Sequence, residues 1–428
     1  MKLHTKIFIG LLGGGLSGLA VNVWAAGAGW VRWVDTNVAG PVGQIFLRLL
    51  LMTVVPLVFT SITLGVAQLG DIRKVGRIGV RSLAYFFLST LISAVIGILL
   101  VNLVRPGVGV PLEVRQQLLD AYRGQVSIPS GGTPTFGVDF FVKIVPANPI
   151  QAAANLDMLG IIFFALIFGA ALTLIPEERA RPLVRVLEAI GDAIAKIIGL
   201  AMHLAPVGVF GLIFVVTSLL GWDIVRKLLT YVLVVLAGLL IHGAVSLSLL
   251  VRFLGGLNPP VFWRRITASI ITAFTTSSSN ATLPTNIAVA EEELKIPPKI
   301  AGFVLSLGST MCHNGTALYE GVTVLFLAQL FGVNLTLGQQ VVAIVLSVMT
   351  AAGTAGVPGG SLAPLMIVCV GVGIPPEVVG VVYGVERILD MSRTTLNVVG
   401  DLTAAVYVAR TEGGWDPRSV TADVKLAA

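Results

Sequence analysis

The stretch ERILDMSRTTLNVVGD, residues 386–401, decides the fold because it places charged residues inside a long apolar segment near the end of the chain. In a helix, residues three or four apart share one face. That spacing defines a polar stripe made of Glu386, Asp390, Arg393, Thr394, Asn397 and Asp401. Ionisable groups in a membrane helix are costly, and they face a bundle interior or a solute pathway. The stripe therefore predicts a buried polar site at mid-membrane.

A simpler interpretation is that Asp390 and Arg393 only pair with each other, or that Glu386 and Asp390 form surface pairs on a soluble amphipathic helix. Neither arrangement requires Asn397 and Asp401 to continue the same face, so the functional interpretation is preferred. Arg393 offers a planar fork suited to a carboxylate. Asp390 could receive an ammonium group, and Asp401 offers the hard oxygen atoms that bind cations.

The composition indicates a membrane protein whose solvent is lipid. The mean hydropathy is +0.93, and 12% of the residues are charged, whereas soluble domains carry about 25%. Apolar stretches long enough to cross a bilayer recur, without the alternation of an outer-membrane barrel. The sequence therefore predicts an all-α membrane protein with eight transmembrane helices, at about 6–27, 42–69, 83–104, 155–175, 193–220, 227–254, 299–332 and 380–410.

The net charge of +6 reports topology rather than a nucleic-acid partner, because the basic residues cluster in short connections. By the positive-inside rule these connections are cytoplasmic, as is the N-terminus with Lys2 and Lys6, which predicts a multi-pass protein of the bacterial cytoplasmic (inner) membrane. The first apolar stretch could also be a secretory signal, but it is long for one, so an uncleaved first helix is preferred. The clusters are Arg73, Lys74, Arg77 and Arg81; Arg179, Arg181 and Arg185; and Arg252, Arg264 and Arg265.

Three polar or glycine-rich interruptions, at 275–280, 308–315 and 353–360, break apolar segments in the last third of the chain. Non-helical backbone at membrane depth is tolerated only where it is buried in protein or lines a cavity. The first and third interruptions lie midway through long apolar stretches, so each stretch is predicted to form a re-entrant helical hairpin. Two interrupted segments in corresponding places indicate inverted repeats and a binding site at the midplane.

Four motifs in order resemble the dicarboxylate/amino acid:cation symporter family, also called the glutamate transporter family. They are SSS with ATLP (277–279 and 281–284), GTALY (315–319), GTAGVPG (353–359) and DMSRTTLNVVGD (390–401). The resemblance extends over nearly the whole chain and is looser in the first half. Members of this family are themselves known examples of transporters with paired interrupted segments. The motifs and the interruptions are therefore not independent evidence for a transporter.

The resemblance implies a homotrimer that works as an elevator. Residues 1–82 and 105–255 would mainly form the scaffold and trimerisation domain. Residues 83–104 and 256–412 would form the moving transport domain with its two hairpins, followed by a tail at 413–428.

The resemblance also implies the substrate contacts. Arg393 would hold a side-chain carboxylate and Asp390 an amino group. A neutral solute would leave Arg393 unpaired and a plain dicarboxylate would leave Asp390 unpaired, so aspartate or glutamate is the predicted substrate. The remaining contacts would come from the serine run, the seventh span, the last span and a gating tip, namely Ser277, Ser278, Ser279, Thr316, Thr394, Asn397, Thr354, Ala355, Gly356, Val357, Pro358 and Gly359.

Sodium-coupled members of the family carry Asn-Met-Asp where this chain has Cys312-His313-Asn314. A thiol and a neutral amide are poorer sodium ligands than an amide and a carboxylate, so at least one sodium site should be weak or lost. A residual site is predicted at Gly308, Asn397 and Asp401, with the carbonyl of Thr310 nearby.

Protons are the predicted replacement for sodium. His313 has an ordinary pKa of about 6.5, so it could carry a proton, act as a fixed cation in place of sodium, or remain a neutral buried histidine. Glu386 is a second candidate for carrying a proton, unless Arg387 neutralises it.

The sequence therefore predicts a symporter of acidic amino acids, wholly or partly coupled to protons, with no organic cofactor. The alternatives are a sodium-coupled dicarboxylate/amino acid symporter, a substrate-gated anion channel and a non-transporting receptor of the same fold. An enzyme that uses Cys312 and His313 is disfavoured, because adjacent residues rarely meet in attack geometry and no third orienting group is evident.

Overall fold

The computed structural model describes residues 3–25, 28–67, 72–110, 142, 145–155, 157–354, 356 and 359–420. All regular secondary structure in these ranges is helical, which confirms the predicted all-α class. In chain order the helices are α1 (Leu3–Ala25), α2 (Gly29–Val34), α3 (Gly40–Ala67), α4 (Ile72–Val104), α5 (Pro149–Ala154), α6 (Met158–Leu174), α7 (Glu177–Leu220), α8 (Trp222–Ile241), α9 (Pro259–Arg265), α10 (Thr267–Thr276), α11 (Ser279–Ala288), α12 (Pro298–Met311), α13 (Asn314–Phe331), α14 (Leu337–Ala352), α15 (Leu362–Gly371) and α16 (Gly380–Glu412).

Short π-helical segments lengthen several of these helices. Asp35–Ala39 joins α2 to α3, and Val289–Glu293 extends α11. His242–Leu247 and Val251–Gly255, joined by Ser248–Leu250, carry α8 onward as far as Gly255.

Among the described residues, five helical stretches are long and apolar enough to cross a membrane. Two further apolar helices, Gly160–Leu174 and Leu337–Ala352, are shorter. The protein is thus a multi-pass membrane protein by length and composition, and the total of eight spans stays a prediction. The five stretches are Thr5–Ala25, Gly29–Ala67, Arg77–Val104, Glu177–Leu219 and Trp222–Gly255.

Two helices begin earlier than the sequence predicted. In both cases the added segment carries basic residues that had been assigned to a connection between helices. Helix α4 begins at Ile72, so Arg77 and Arg81 lie within it. Helix α7 begins at Glu177, sixteen residues before the predicted apolar span, and carries acidic residues in its first turn, where they complement the helix dipole. These segments are helical because amphipathic sequence can extend a helix beyond its apolar part.

The helices pack in two neighbourhoods. Helices α1, α3 and α6 pack against α7, and α3 also packs against α6, whereas α4 packs against α13, α14 and α16. Helix α8, assigned to the scaffold from the sequence, packs against α4, α13 and α16. The division into scaffold and transport domains stays a prediction.

Helix α1 approaches α7 closely through glycine. A Cβ atom added at Gly14 would lie 2.5 Å from the carbonyl oxygen of Phe210 and 3.0 Å from its Cα. Small residues permit such backbone approach between membrane helices, where packing rather than the hydrophobic effect drives association.

We expect Gly14→Ala to lower the melting temperature of the purified protein, because overpacking a tight contact costs about 1–3 kcal/mol. Gly15→Ala is the matched control, since its Cβ would meet Ile213 Cγ2 at an ordinary 3.6 Å. Scanning fluorimetry of both variants measures the difference. Equal melting temperatures would contradict the proposed role of the α1–α7 contact.

The three predicted interruptions are real breaks between helices. The first break is Ser277–Ser278 between α10 and α11, the second is Cys312–His313 between α12 and α13, and the third is the segment 353–361 between α14 and α15. Ser277 has a φ of 53°, the left-handed conformation that a non-glycine residue adopts only when its surroundings enforce it. Helices α10 and α11 contact each other, as do α14 and α15, while re-entrance into the membrane stays a prediction.

Candidate functional site

The polar stripe lies on α16 and faces inward along its whole length. Each of its six side chains belongs to a residue with an exposed fraction of at most 6%. The stripe packs against α10, α12 and α13, the helices that flank the first and second breaks. The spacing argument from the sequence therefore agrees with the position of these residues.

Arg393 is the central cation of the stripe. Its Nη2 donates to Glu386 Oε1 at 2.6 Å and to Asp390 Oδ1 at 2.7 Å. Its guanidinium lies over the Tyr319 ring, 4.4 Å from the centroid. Its Nη1 is buried and has no hydrogen-bond partner among the described residues. The fork thus has one arm held by acidic side chains and one arm free to bind an acceptor.

Asp390 is already paired on both oxygens. Its Oδ1 accepts from Arg393, while Oδ2 accepts from Arg387 Nη1 at 3.1 Å and from the backbone N–H of Gly359 at 3.2 Å. Gly359 belongs to the third break, so this carboxylate ties α16 to that break.

Asn397 fixes the start of α13 against α16. Its Oδ1 accepts from the backbone N–H groups of Gly315, at 2.8 Å, and Thr316, at 3.3 Å, and its Nδ2 donates to Thr316 Oγ1 at 3.1 Å. These N–H groups are among those that a helix N-terminus leaves without intrahelical partners. Gly315 sits directly on the Arg393 backbone, where a Cβ atom would lie 2.8 Å from Arg393 Cα.

The first and third breaks touch each other. The carbonyl oxygen of Gly356 accepts from Ser278 Oγ at 2.6 Å and from the N–H of Asn280 at 3.2 Å. Ser278 Oγ also accepts from the N–H of Ala281 and so caps α11. The first and third breaks are therefore joined by hydrogen bonds next to the stripe.

A small polar cavity lies between the stripe and the three breaks. Most of its lining was predicted from the sequence. His313, predicted as a coupling residue, also lines it, and Ser361 had not been predicted. The lining comprises Ser277, Ser279, His313, Thr316, Thr354, Gly356, Ser361, Asp390, Arg393, Thr394 and Asn397. Ala355, Val357 and Pro358 of the predicted gate lie outside the described residues.

At the second break, Asn314 is held by hydroxyl groups of α4. Its Oδ1 accepts from Thr90 at 2.8 Å and from Ser89 at 3.2 Å, and its backbone carbonyl accepts from Ser93 at 2.8 Å. Cys312 Sγ donates to the same Oδ1 at 3.7 Å. Cys312 also lies against the side chain of Asp401, so this cluster adjoins a buried carboxylate.

The ring of buried His313 lies against the backbone of Ala351, at the end of α14. The ring also lines the cavity, where a solute or a water molecule can reach it.

Asp401 is the buried carboxylate best suited to a cation. Neither of its oxygens accepts from an N–H or O–H group of the described residues, and the Cys312 thiol lies beside it. Gly308 packs against it, and a Cβ atom there would lie 2.6 Å from Oδ1. Thr310 lies two residues further on, in the last turn of α12. The carboxylate oxygens of Asp401 fit a hard cation.

The sequence analysis missed Glu320, on α13, which is fully buried. Its Oε2 accepts from Thr350 Oγ1 at 2.7 Å, and its Oε1 has no partner among the described residues. A glutamate in an apolar span is itself a signal, because such residues are rare and usually functional.

Broken helices that enclose a buried, charge-lined cavity within a bundle of membrane helices define a secondary transporter. The chain belongs to the sodium:dicarboxylate symporter family, whose pattern it matches over residues 3–411. The resemblance noted from the motifs is thereby confirmed. Because this is a family of transporters, the prediction that the chain is not an enzyme is also confirmed.

Characterised relatives cover nearly the whole chain. The chain is 34% identical to the proton/glutamate-aspartate symporter of Escherichia coli (strain K12), over 91% of this chain and 89% of that one. It is 33% identical to the proton/sodium-glutamate symport protein of Bacillus subtilis (strain 168), over 97% and 94%. It is 30% identical to the C4-dicarboxylate transport protein of the same organism, over 88% of each.

Proposed function

We propose that the protein is a symporter of acidic amino acids, L-aspartate or L-glutamate, coupled to protons with weakened sodium coupling. The observation that carries this proposal is the free arm of Arg393. A buried guanidinium N–H without a partner is costly, and a solute carboxylate would supply the missing acceptor. The names of the relatives, which include glutamate and aspartate symporters, support the same substrate class.

The unpaired buried carboxyl groups support cation coupling. Among the described residues, Asp401 has only the Cys312 thiol beside it and Glu320 Oε1 has no partner, and a buried carboxylate needs a cation, a proton or hydrogen bonds. Sodium suits the hard-oxygen environment of Asp401 with Gly308 and Asn397. Glu320 and His313 are the proposed proton carriers, because Glu320 has an unpartnered oxygen among the described residues and His313 lines the cavity. Glu386 is less suited, since Arg393 already pairs with it.

Alternating access by an elevator movement is part of the same proposal. Two glycines of the third break lie against apolar side chains of α3 and α7: Gly353 packs on Ile62, and Gly359 lies beside Met202. These two contacts involve no ion pair that a sliding movement would have to break. We further propose a homotrimer in the bacterial cytoplasmic membrane, embedded in lipid, as the family resemblance implies.

Uptake of radiolabelled L-aspartate into proteoliposomes tests the coupling. We expect an inwardly directed proton gradient to drive accumulation without sodium, and Glu320→Gln and His313→Gln to weaken that accumulation. His203→Gln is the matched control, because His203 is exposed on α7, away from the cavity. Strict dependence on a sodium gradient, unchanged in both site variants, would refute proton coupling. Solute-gated current without accumulation would refute symport itself.

A further inference from the structure

The chain reverses direction after α16, so that residues 413–420, here called the C-terminal segment, return to the helices beside it. Arg410 fixes the end of α16 by donating to the carbonyl oxygens of Phe253 and Leu254, both at 3.4 Å. The first two residues of the C-terminal segment are glycines with φ values of 80° and 82°, which other residues rarely adopt. The segment is therefore directed back onto the protein instead of continuing α16.

The C-terminal segment contacts the pair of helices α10 and α11 at the end away from the first break. Trp415 is 8% exposed, and its Nε1 donates to the carbonyl oxygen of Leu294, directly after the π-helical extension of α11, at 2.8 Å. Val420 is fully buried, and its carbonyl oxygen accepts from Arg265 Nη2 at 3.4 Å. Arg265 precedes α10 and also pairs with Glu293 at 2.8 Å. One segment thus joins the start of α10 to the end of α11.

The other end of the α10–α11 pair forms part of the cavity wall, through the serine run at 277–279. Ser277 and Ser279 line the cavity, and Ser278 Oγ donates to the carbonyl oxygen of Gly356. Helices α10 and α11 have 10 residues each, which corresponds to about 15 Å of helix. Because so short a pair moves nearly as a rigid unit, fixing its outer end limits the movement of the serine run.

We propose that Trp415 is a positioning residue for solute binding. Through its contacts the C-terminal segment holds α10 and α11 together at their outer ends, and so keeps the serine run in place at the cavity. A buried tryptophan suits this role because its ring supplies a large packing area and its N–H supplies a directed hydrogen bond. The inference rests on the proposed function only where solute binding is measured.

Hydrogen–deuterium exchange of the purified full-length protein, measured by mass spectrometry, tests the positioning role without a solute. We expect Trp415→Ala to speed exchange by about tenfold or more in peptides containing Asn280 and Ala281, because local opening frees amides whose acceptors belong to the two joined breaks. Exchange over α14 should stay at the wild-type rate. Trp415→Phe keeps an aromatic ring and loses the N–H donor, so it should give a smaller rise. Trp24→Ala is the matched control, since Trp24 is 85% exposed.

Titration calorimetry with L-aspartate gives the second readout. We expect Trp415→Ala to raise the dissociation constant by about threefold or more, because the solute must then order the serine run as it binds. The dissociation constant of Trp415→Phe should lie between those of the wild-type protein and Trp415→Ala. Trp24→Ala should bind L-aspartate like the wild-type protein.

Unchanged exchange at Asn280 and Ala281 in a folded Trp415→Ala protein overturns the inference. So does a rise of equal size along the whole chain, or faster exchange with an unchanged dissociation constant. Wild-type amides at 417–420 that exchange as fast as an unfolded chain also overturn it, a result that covers the case in which Trp415→Ala fails to fold. A wild-type protein that binds neither L-aspartate nor L-glutamate refutes the proposed function instead, and the exchange measurement then decides the positioning role alone.

Discussion

Replacing Arg393 by lysine should raise the dissociation constant for L-aspartate by about a hundredfold or more, because a lysine ammonium cannot reproduce the planar fork. In the structure one terminal nitrogen serves both Glu386 and Asp390, and the other is free for a solute. The guanidinium also lies over the Tyr319 ring, a flat contact that suits its planar shape. A single ammonium group would remain with the two carboxylates and leave the solute carboxylate without a donor.

Lysine is more informative here than an uncharged residue. Removing the cation would leave Glu386 as a buried charge without its partner and Asp390 with Arg387 as its remaining cation, a change that costs about 3–5 kcal/mol and would confuse misfolding with lost binding. Arg410→Lys is the matched control on α16. Calorimetry reports binding, and the melting temperature reports folding. If Arg393→Lys bound L-aspartate as tightly as the wild-type protein, the carboxylate-binding role of Arg393 would be untenable.

The polar stripe was predictable because two independent constraints act on it. Helical periodicity fixes which of residues 386–401 share a face, and the cost of a charge in lipid requires that face to point inward. The three breaks were predictable for a related reason, since Gly, Ser and Pro clusters inside apolar segments cannot continue as lipid-exposed helix. Both features follow from local sequence and the solvent.

The missed features depend on side-chain reach and tertiary contacts. Arg387 lies off the stripe by about 100°, one residue on a helix of 3.6 residues per turn, and only the length of its side chain brings it to Asp390. The partner of Glu320 is Thr350, which is 30 residues away in sequence and on another helix. The polar first part of α7 and its apolar span likewise form one continuous helix, although hydropathy alone would predict a boundary between them. No local pattern encodes these contacts.

Gly315→Ala should both destabilise the protein and abolish acidic amino-acid binding, because no space exists for a side chain at that position. The added Cβ atom would lie 2.8 Å from Arg393 Cα and closer still to the Arg393 carbonyl oxygen. Both neighbours are backbone atoms, so α13 must move away from α16, at a cost of about 1–3 kcal/mol. That movement would pull the Gly315 N–H from Asn397 Oδ1 and displace Thr316, two contacts that shape the cavity.

Gly302→Ala provides the matched control, since a Cβ atom there meets nothing within 4 Å on α12. Alanine is a better helix former than glycine by about 1 kcal/mol, so this variant should keep or raise the melting temperature and bind L-aspartate normally. Melting curves and calorimetry on both variants separate the two effects. If the Gly315→Ala protein bound L-aspartate like the wild-type protein, α13 and α16 could separate at the site without loss of binding. In that case neither the Asn397 contacts nor the position of Arg393 would determine the affinity.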